Sequence, residues 1–255
     1  MRLIAMSSHV RLKHKQETLN NYKKAVDLLF AQIYQQVNPE KALQDNLNGN
    51  HPLVIVIGSQ KGLCGNFNNA LLQETKKYLT TLQNPVIITV GKRAHDFMTN
   101  RLGILPFLYF DSFTANTYLY IAREIAQHIL YTDKPYNTVD TISSFAKSFF
   151  TQIPRVTRLL PIDKNSLKTD TEIPEYSWEE SPYKILNKLF QQYLLAHLEY
   201  VLYESLIAEQ AARFLSMDSS TRNAQNVLDQ TQLQYNKLRQ AKITKELIEL
   251  SSSLS

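Results

Sequence analysis

YKILNKLFQQYLLAHLEYVLYESLIAEQAARFLSMDSSTRNAQNVLDQTQLQYNKLRQAKITKELIELSSSLS, residues 183–255, contains neither glycine nor proline over 73 consecutive positions. Those two residues punctuate helices, so their absence predicts one continuous α-helix, about 110 Å long at 1.5 Å per residue. A helix of that length outruns any single globular domain and needs a partner helix, a sleeve of other subunits, or both. Within it Met217, Thr221, Ala224, Leu228, Thr231, Tyr235 and Leu238 alternate four and three apart, which is heptad spacing. Small and hydroxyl residues are mixed into the apolar line. An all-leucine seam would describe a permanent zipper; this one describes a stiff rod whose faces must also meet something else.

At the opposite end, residues 1–38 likewise lack glycine and proline. Leu12, Leu19, Tyr22, Val26, Leu29 and Ile33 keep three–four spacing from Leu19 onward, the stripe of an amphipathic helix. Pro39 and the polar stretch from Gln44 to Asn50 end it. Between the two helices the composition changes. All six glycines lie between Gly49 and Gly103, and eight of the nine prolines between Pro52 and Pro182. Leu53–Ile57 and Val86–Val90 are short β-branched runs, hence buried strands. Helices are predicted over 70–82, 92–102 and 116–130, a third strand over 105–110, and closing strands over 138–144 and 156–162. Such alternation implies a Rossmann-like, mainly parallel sheet covered by helices. Residues 163–181 are a polar linker, with Trp178 anchoring it to the domain, and Ser181 can N-cap the last helix with Pro182 in the first turn.

The expected fold class is therefore α/β plus coiled coil, an antiparallel pair of long terminal helices with an inserted α/β domain. The expected boundaries are residues 1–50 for the first helix, 51–180 for the globular foot and 181–255 for the long helix.

Whole-chain properties narrow the function. No apolar run is long enough to span a bilayer. A net charge of +5 and a pI near 9.1 permit contact with acidic surfaces without requiring nucleic acid. The single cysteine, Cys64, excludes an internal disulfide and a cysteine-cluster metal site. Gly58, Gly62 and Gly65 sit between a strand and a helix, where a phosphate-cradling loop would lie. Their spacing fits neither G-x-G-x-x-G nor G-x-x-x-x-G-K-[ST], so a tight strand-to-helix turn is the preferred reading. Ser59 lacks the second glycine of a nucleophile elbow. His95 and Asp96 are helix neighbours that point different ways and read as a solvated face. Cys64 reads as a small buried hydrophobe. No catalytic residue, cofactor site or metal site is expected. The strongest charge bias lies in the first helix, where Arg2, Arg11, Lys13, Lys15, Lys23 and Lys24 stand against Glu17. Met1–Lys15, basic and free of acids, also has the composition of an organellar transit peptide, although the first helix accounts for it better.

SLIAEQAARFLSMDSSTRNA (205–224) and LQYNKLRQAKITKELIEL (233–250) closely resemble the C-terminal signature of the gamma subunit of F-type ATP synthases. Fainter similarities cover IGSQKGLCGNFN (57–68), VGKRAHDF (90–97), LLPI (159–162) and MRLIAMSSHVRLKHKQ at the start. The resemblance implies a central-stalk rotor. Its paired helices would stand inside a ring of alpha and beta subunits, and its foot would rest on the membrane c-ring beside the epsilon subunit, with no chemistry of its own. Arg239 and Gln240 would then bond to a beta-subunit loop, and the basic first helix, with Arg11 and Lys13, would face acidic beta-subunit segments. The coiled-coil seam would run through Met217, Ala224, Leu228, Tyr235 and Leu238. The expected place is the cytoplasmic face of a bacterial inner membrane, as a peripheral protein.

The chain departs from the family at several points. The family's first helix begins roughly twenty residues earlier, about 30 Å of rod. Either the start is misassigned or the upper shaft is a single helix held by its sleeve. Gln60-Lys61 replaces the family's Asp-Arg pair, Asn66 stands where a further glycine is common, and a lone cysteine leaves out the chloroplast disulfide switch. Two other functions stay open at this point, a decayed paralogue acting as a coiled-coil adaptor and a nucleotide-dependent α/β enzyme with helical arms.

Overall fold

Leu53, Val54, Ile55, Val56 and Ile57 are each 0% exposed, because the strand they form is covered on both faces. A computed structural model of the chain describes residues 2–36, 49–132, 134–162 and 180–253. In chain order its elements are α1 (Arg2–Gln36), β1 (His51–Ile57), α2 (Phe67–Leu79), β2 (Val86–Val90), α3 (Lys92–Asn100), β3 (Leu108–Phe110), α4 (Tyr118–Leu130), β4 (Tyr136–Ser148), β5 (Thr151–Leu160) and α5 (Pro182–Ser253).

The strands form one sheet in the order β3-β2-β1-β4-β5. β1 pairs in parallel with β2 and β4, and β2 with β3, while β4 and β5 are antiparallel. The period-two alternation of a strand sorts the residues of β1 between two layers. Val54 and Val56 pack with Leu71 of α2 and Ala94 and Met98 of α3. Leu53, Ile55 and Ile57 pack on the other face with α4, α5 and the lower part of α1. This is the mainly parallel sheet that the sequence implies.

The differences from expectation lie at the sheet's edges. β4 runs on past 144 to Ser148, and β5 begins at Thr151 rather than 156 and ends at Leu160, so that the two fold back on each other as a long hairpin. Ser143, Ser144, Ala146, Lys147 and Ser148 carry little of the apolar signal by which a strand is recognised. β3 shrinks to three residues, with Leu105 left 85% exposed ahead of it.

α5 begins where the sequence places it. The Ser181 carbonyl accepts from the Lys184 and Ile185 N–H groups at 2.9 and 3.2 Å, putting Ser181 in the N-cap position. α1 runs antiparallel beside the lower half of α5. Phe30 meets Tyr193 and Phe190, with ring centroids 4.7 and 6.4 Å apart, and Tyr203 donates to the Leu12 carbonyl at 2.9 Å. At the far end Arg2 meets Asp218 at 2.8 Å. Burying a ring such as Phe30 contributes roughly 2–3 kcal/mol, so a few such contacts hold the pair to the foot. The expected anchor Trp178 and most of the linker, 163–179, lie outside the described residues.

Candidate functional site

Every residue of α5 from Ser219 to Glu249 is exposed. That stretch, about 46 Å at 1.5 Å per residue, continues without a break the helix that is buried in the foot below it. Local bonds supply what tertiary packing does not. The hydroxyls of Ser220, Thr221, Thr231 and Thr244 donate to carbonyls one turn back, at 2.8–2.9 Å. Arg222 pairs with Asp218, Gln225 donates to Asp229 at 2.9 Å, and Lys242–Glu246 and Lys245–Glu249 are i,i+4 pairs. Each such pair adds only about 0.2–0.5 kcal/mol. Val227, Leu228, Leu233, Tyr235, Leu238, Leu247 and Ile248 are all more than half exposed. A polar helix with so many bare apolar groups is built to be surrounded.

Arg239 and Gln240 lie on this bare stretch, as do Ala224, Leu228, Tyr235 and Leu238. None of these six packs against α1, whose reach along α5 ends at Asp218. Met217 is half-buried at that limit. The pairing within the chain therefore runs below the heptad line, through Phe190, Tyr193, Tyr203 and Ile207. Arg11 and Lys13 are exposed on α1. The structure brings Arg11 close to the foot and leaves Arg239 far up the rod.

Where rod meets foot, the charges are paired, and most are half-buried or buried. Lys23 and His197 both bond Asp27, at 2.6 and 2.7 Å. Burial pushes the His197 imidazole below its ordinary pKa, and Asp27 only partly restores it. Burial raises the Asp27 carboxyl, but the hydrogen bonds and charges of His197 and Lys23 outweigh it and hold it below the usual range. A neutral His197 therefore donates to an ionised Asp27. Arg155 of β5 reaches Glu204 of α5 at 2.9 Å. Arg213 pairs with Glu209, which is almost wholly buried, and also donates to the Lys61 and Gly62 carbonyls at 3.3 and 3.5 Å. The tip of the β4–β5 hairpin adds an aromatic clasp, since Phe149 stands edge-on to His9 of α1 and packs on Phe214 of α5. The spacing of Glu209 and Arg213, one turn apart, was visible in the sequence. Their loop target was not.

The glycine-rich loop is a turn whose groups are spent on itself and on α5. The Gly58 N–H donates to the Val90 carbonyl at 2.9 Å, and the Ser59 hydroxyl to the Lys61 carbonyl at 2.7 Å. Asn68 donates to Ser59 at 2.8 Å and to the Cys64 sulfur at 3.0 Å. Gly91 lies at φ +86°, and a Cβ there would sit 2.5 Å from the Gly58 carbonyl oxygen, so the second strand's exit admits only glycine. Cys64 and Phe67 pack against Ala208 and Ala212 of α5. A dinucleotide in an open α/β sheet would sit in the crevice past the strand ends; here α5 lies against that loop. Burial pushes the Cys64 thiol up, which keeps it protonated and inert. His95 is not on a solvated face: it is half-buried and stacked on Tyr109 at 3.9 Å.

Comparison with known proteins places this geometry. The family model described as ATP synthase matches residues 1–255. The ATP synthase gamma chain of a Wolbachia endosymbiont of Drosophila simulans is 30% identical, over 98% of this chain and 90% of its own length. That of Clostridium novyi is 31% identical over 97% and 88%. Among solved structures, a Euglena gracilis mitochondrial ATP synthase, resolved with its OSCP, F1 and c-ring, contains a chain of the same fold, with a TM-score of 0.60 at 17% identity. The match covers 97% of this chain and 94% of that one. A chain from the Tetrahymena thermophila mitochondrial central stalk and c-ring structure gives 0.56 at 19% identity, over 86% and 99%.

Proposed function

Because this chain belongs to the ATP synthase family, as a relative of its gamma chains, we propose that it is the central-stalk rotor of an F-type ATP synthase. One observation carries this: a single helix is buried in the foot at one end and exposed at every position from Ser219 to Glu249. Such a body is held at the bottom and handled at the top. Around the bare segment the alpha and beta subunits form the sleeve. Below, the foot docks on the c-ring beside the epsilon subunit. The rotor is asymmetric, so at each angle it makes different contacts with each beta subunit and shifts that subunit between open and closed states. The nucleotide chemistry belongs to the beta subunits; this chain is non-catalytic and holds no cofactor. Arg239 and Gln240, exposed on the bare helix, are proposed as contacts to a beta-subunit loop. Arg239 is suited to a carboxylate through its planar fork of donors. Arg11 and Lys13 present positive charge to acidic segments of the same subunits. The units 1–50, 51–180 and 181–255 serve as first helix, foot and shaft.

No helix among the described residues is long and apolar enough to cross a membrane. We propose the cytoplasmic face of a bacterial inner membrane as its place, as a peripheral part of the complex, a reading supported by its similarity to bacterial gamma chains. The test is co-expression with the cognate alpha and beta subunits, followed by ATPase assay and rotation tracking. The expected result is a stable complex in which ATP drives rotation of the foot, and in which Arg239→Ala lowers torque while the foot stays folded. Failure to recover alpha and beta subunits would favour a coiled-coil adaptor instead, and unchanged torque in the variant would remove Arg239 from its assigned role.

A further inference from the structure

Phe149 and Phe150 make the turn that joins β4 to β5. Tight hairpin turns favour glycine, asparagine and aspartate, whose backbones and short side chains suit the bend. Two phenylalanines go against that local chemistry, and such a breach marks positions chosen for something other than the turn itself. Phe150 is left 75% exposed. Phe149 points inward. Its ring centroid lies 4.9 Å from that of His9 on α1 and 5.5 Å from that of Phe214 on α5, so one side chain touches both rod helices. The Gln152 amide donates to the Phe149 carbonyl at 2.8 Å and holds the turn. His9 is itself fixed, since its Nδ1 donates to the Ile207 carbonyl at 3.3 Å.

Lower on the same hairpin, Arg155 reaches Glu204 of α5 at 2.9 Å and lies over the Phe145 ring at 4.6 Å. Glu204 and Phe214 are ten positions apart, about 15 Å along the helix. Two fastenings on one helix still leave rotation about the line that joins them. The third, at His9 on the other helix, lies off that line and removes it. Below the tip β4 pairs with β1 in the sheet, so the hairpin ties the sheet to both helices at once.

We infer that the β4–β5 turn is a positioning element of the rotor, in which Phe149 fixes the angle between foot and shaft. The inference rests on the rotor reading and adds to it the contact that keeps the two parts in phase. Without Phe149 the sheet domain would grip α5 beyond Ala208 mainly from the side of the glycine-rich loop, through Cys64, Phe67 and the carbonyls that Arg213 reaches. A load on the foot would then twist it against the shaft before the shaft turned.

The test has two arms. In hydrogen exchange of the isolated full chain, Phe149→Ala is expected to speed exchange about tenfold over Glu209 to Ser216, the loss of one aromatic contact. Leu194 to Ala208 should exchange as in the parent. Phe149→Tyr, which keeps the ring, and Phe150→Ala, at the exposed neighbour, should both match the parent. Unaltered exchange over Glu209 to Ser216 in Phe149→Ala would overturn the proposal. Faster exchange throughout the foot would overturn it too, since the turn would then be a general support of the fold. In the second arm the chain is assembled with alpha and beta subunits, the head is immobilised, and a bead on the foot is tracked between steps at limiting ATP. The angular spread of the bead is expected to be wider in Phe149→Ala and to return to the parent's width in Phe149→Tyr. A parent that rotates while Phe149→Ala shows the same spread would sink this inference alone. A parent that recovers no alpha or beta subunit would sink the rotor reading, and this inference with it.

Discussion

Glu209 is a carboxylate 5% exposed at its side chain, on a helix that passes through the foot. Burial raises its pKa, and the charge of Arg213 pulls it back. Breaking such a pair strands a charge in a poorly solvated place, at a cost of roughly 3–5 kcal/mol. Arg213→Ala is therefore expected to destabilise the foot by about that much in urea unfolding at pH 7.5. The deficit has a defined pH dependence. Without Arg213 the folded-state pKa of Glu209 rises further above its unfolded value, so stability is retained at low pH and lost as pH rises. Unfolding midpoints at pH 5.5 and 7.5 should show the larger loss at 7.5. Adding Glu209→Gln should return most of it, because the amide leaves no charge to strand. Equal losses at both pH values would mean that the carboxylate is not the source of the penalty.

At the scale of elements, the α1–α5 pair is pinned low down by Asp27, Lys23 and His197. His197 has its pKa lowered by burial. A lowered folded-state pKa means that the unfolded chain takes up the proton first, so stability is present above the ordinary value near 6.5 and is lost as pH falls below it. His9 and His128 are shifted the same way by burial and act in the same window. His197→Gln is expected to reduce, without abolishing, the drop in unfolding midpoint between pH 7.5 and 5.5. An unchanged drop would place the proton-linked loss elsewhere. Much of this level was legible in the sequence. Helices announce themselves by their lack of glycine and proline, and β1 and β2 by runs of valine and isoleucine. The long hairpin was not legible past Ser144, because Ala146, Lys147 and Ser148 carry little apolar signal and β4 there pairs only with β5. The role of the Cys64 loop as a packing surface for Ala208 and Ala212 was likewise hidden, since it depends on two segments about 140 positions apart meeting in space. The heptad line above Met217 was legible as a pattern, but a pattern does not say which partner covers it.

The whole molecule has two regimes of stability. In the foot, α5 is covered by the sheet, α4 and α1; above Asp218 none of the described residues covers it. Amide protection follows tertiary burial, and an uncovered helix opens locally at little cost. In hydrogen exchange of the isolated chain, amides from Leu194 to Ala208 are expected to be strongly protected, whereas those from Ala224 to Glu249 exchange near the rate of an isolated helical peptide. Assembly with alpha and beta subunits should protect the second group and leave the first nearly unchanged. Strong protection of the upper segment in the isolated chain would show that it is covered by self-association.

The uninterrupted hydrogen-bond ladder of α5 has a mechanical consequence. A bar clamped along its lower half by core packing and unclamped along its upper half does not deform evenly under load. Elastic strain gathers in the free portion, between the last clamp at Asp218 and the grip proposed near Arg239. Those twenty-odd residues act as a spring in series with a rigid base, and their softness sets how smoothly stepwise motion at one end becomes continuous motion at the other.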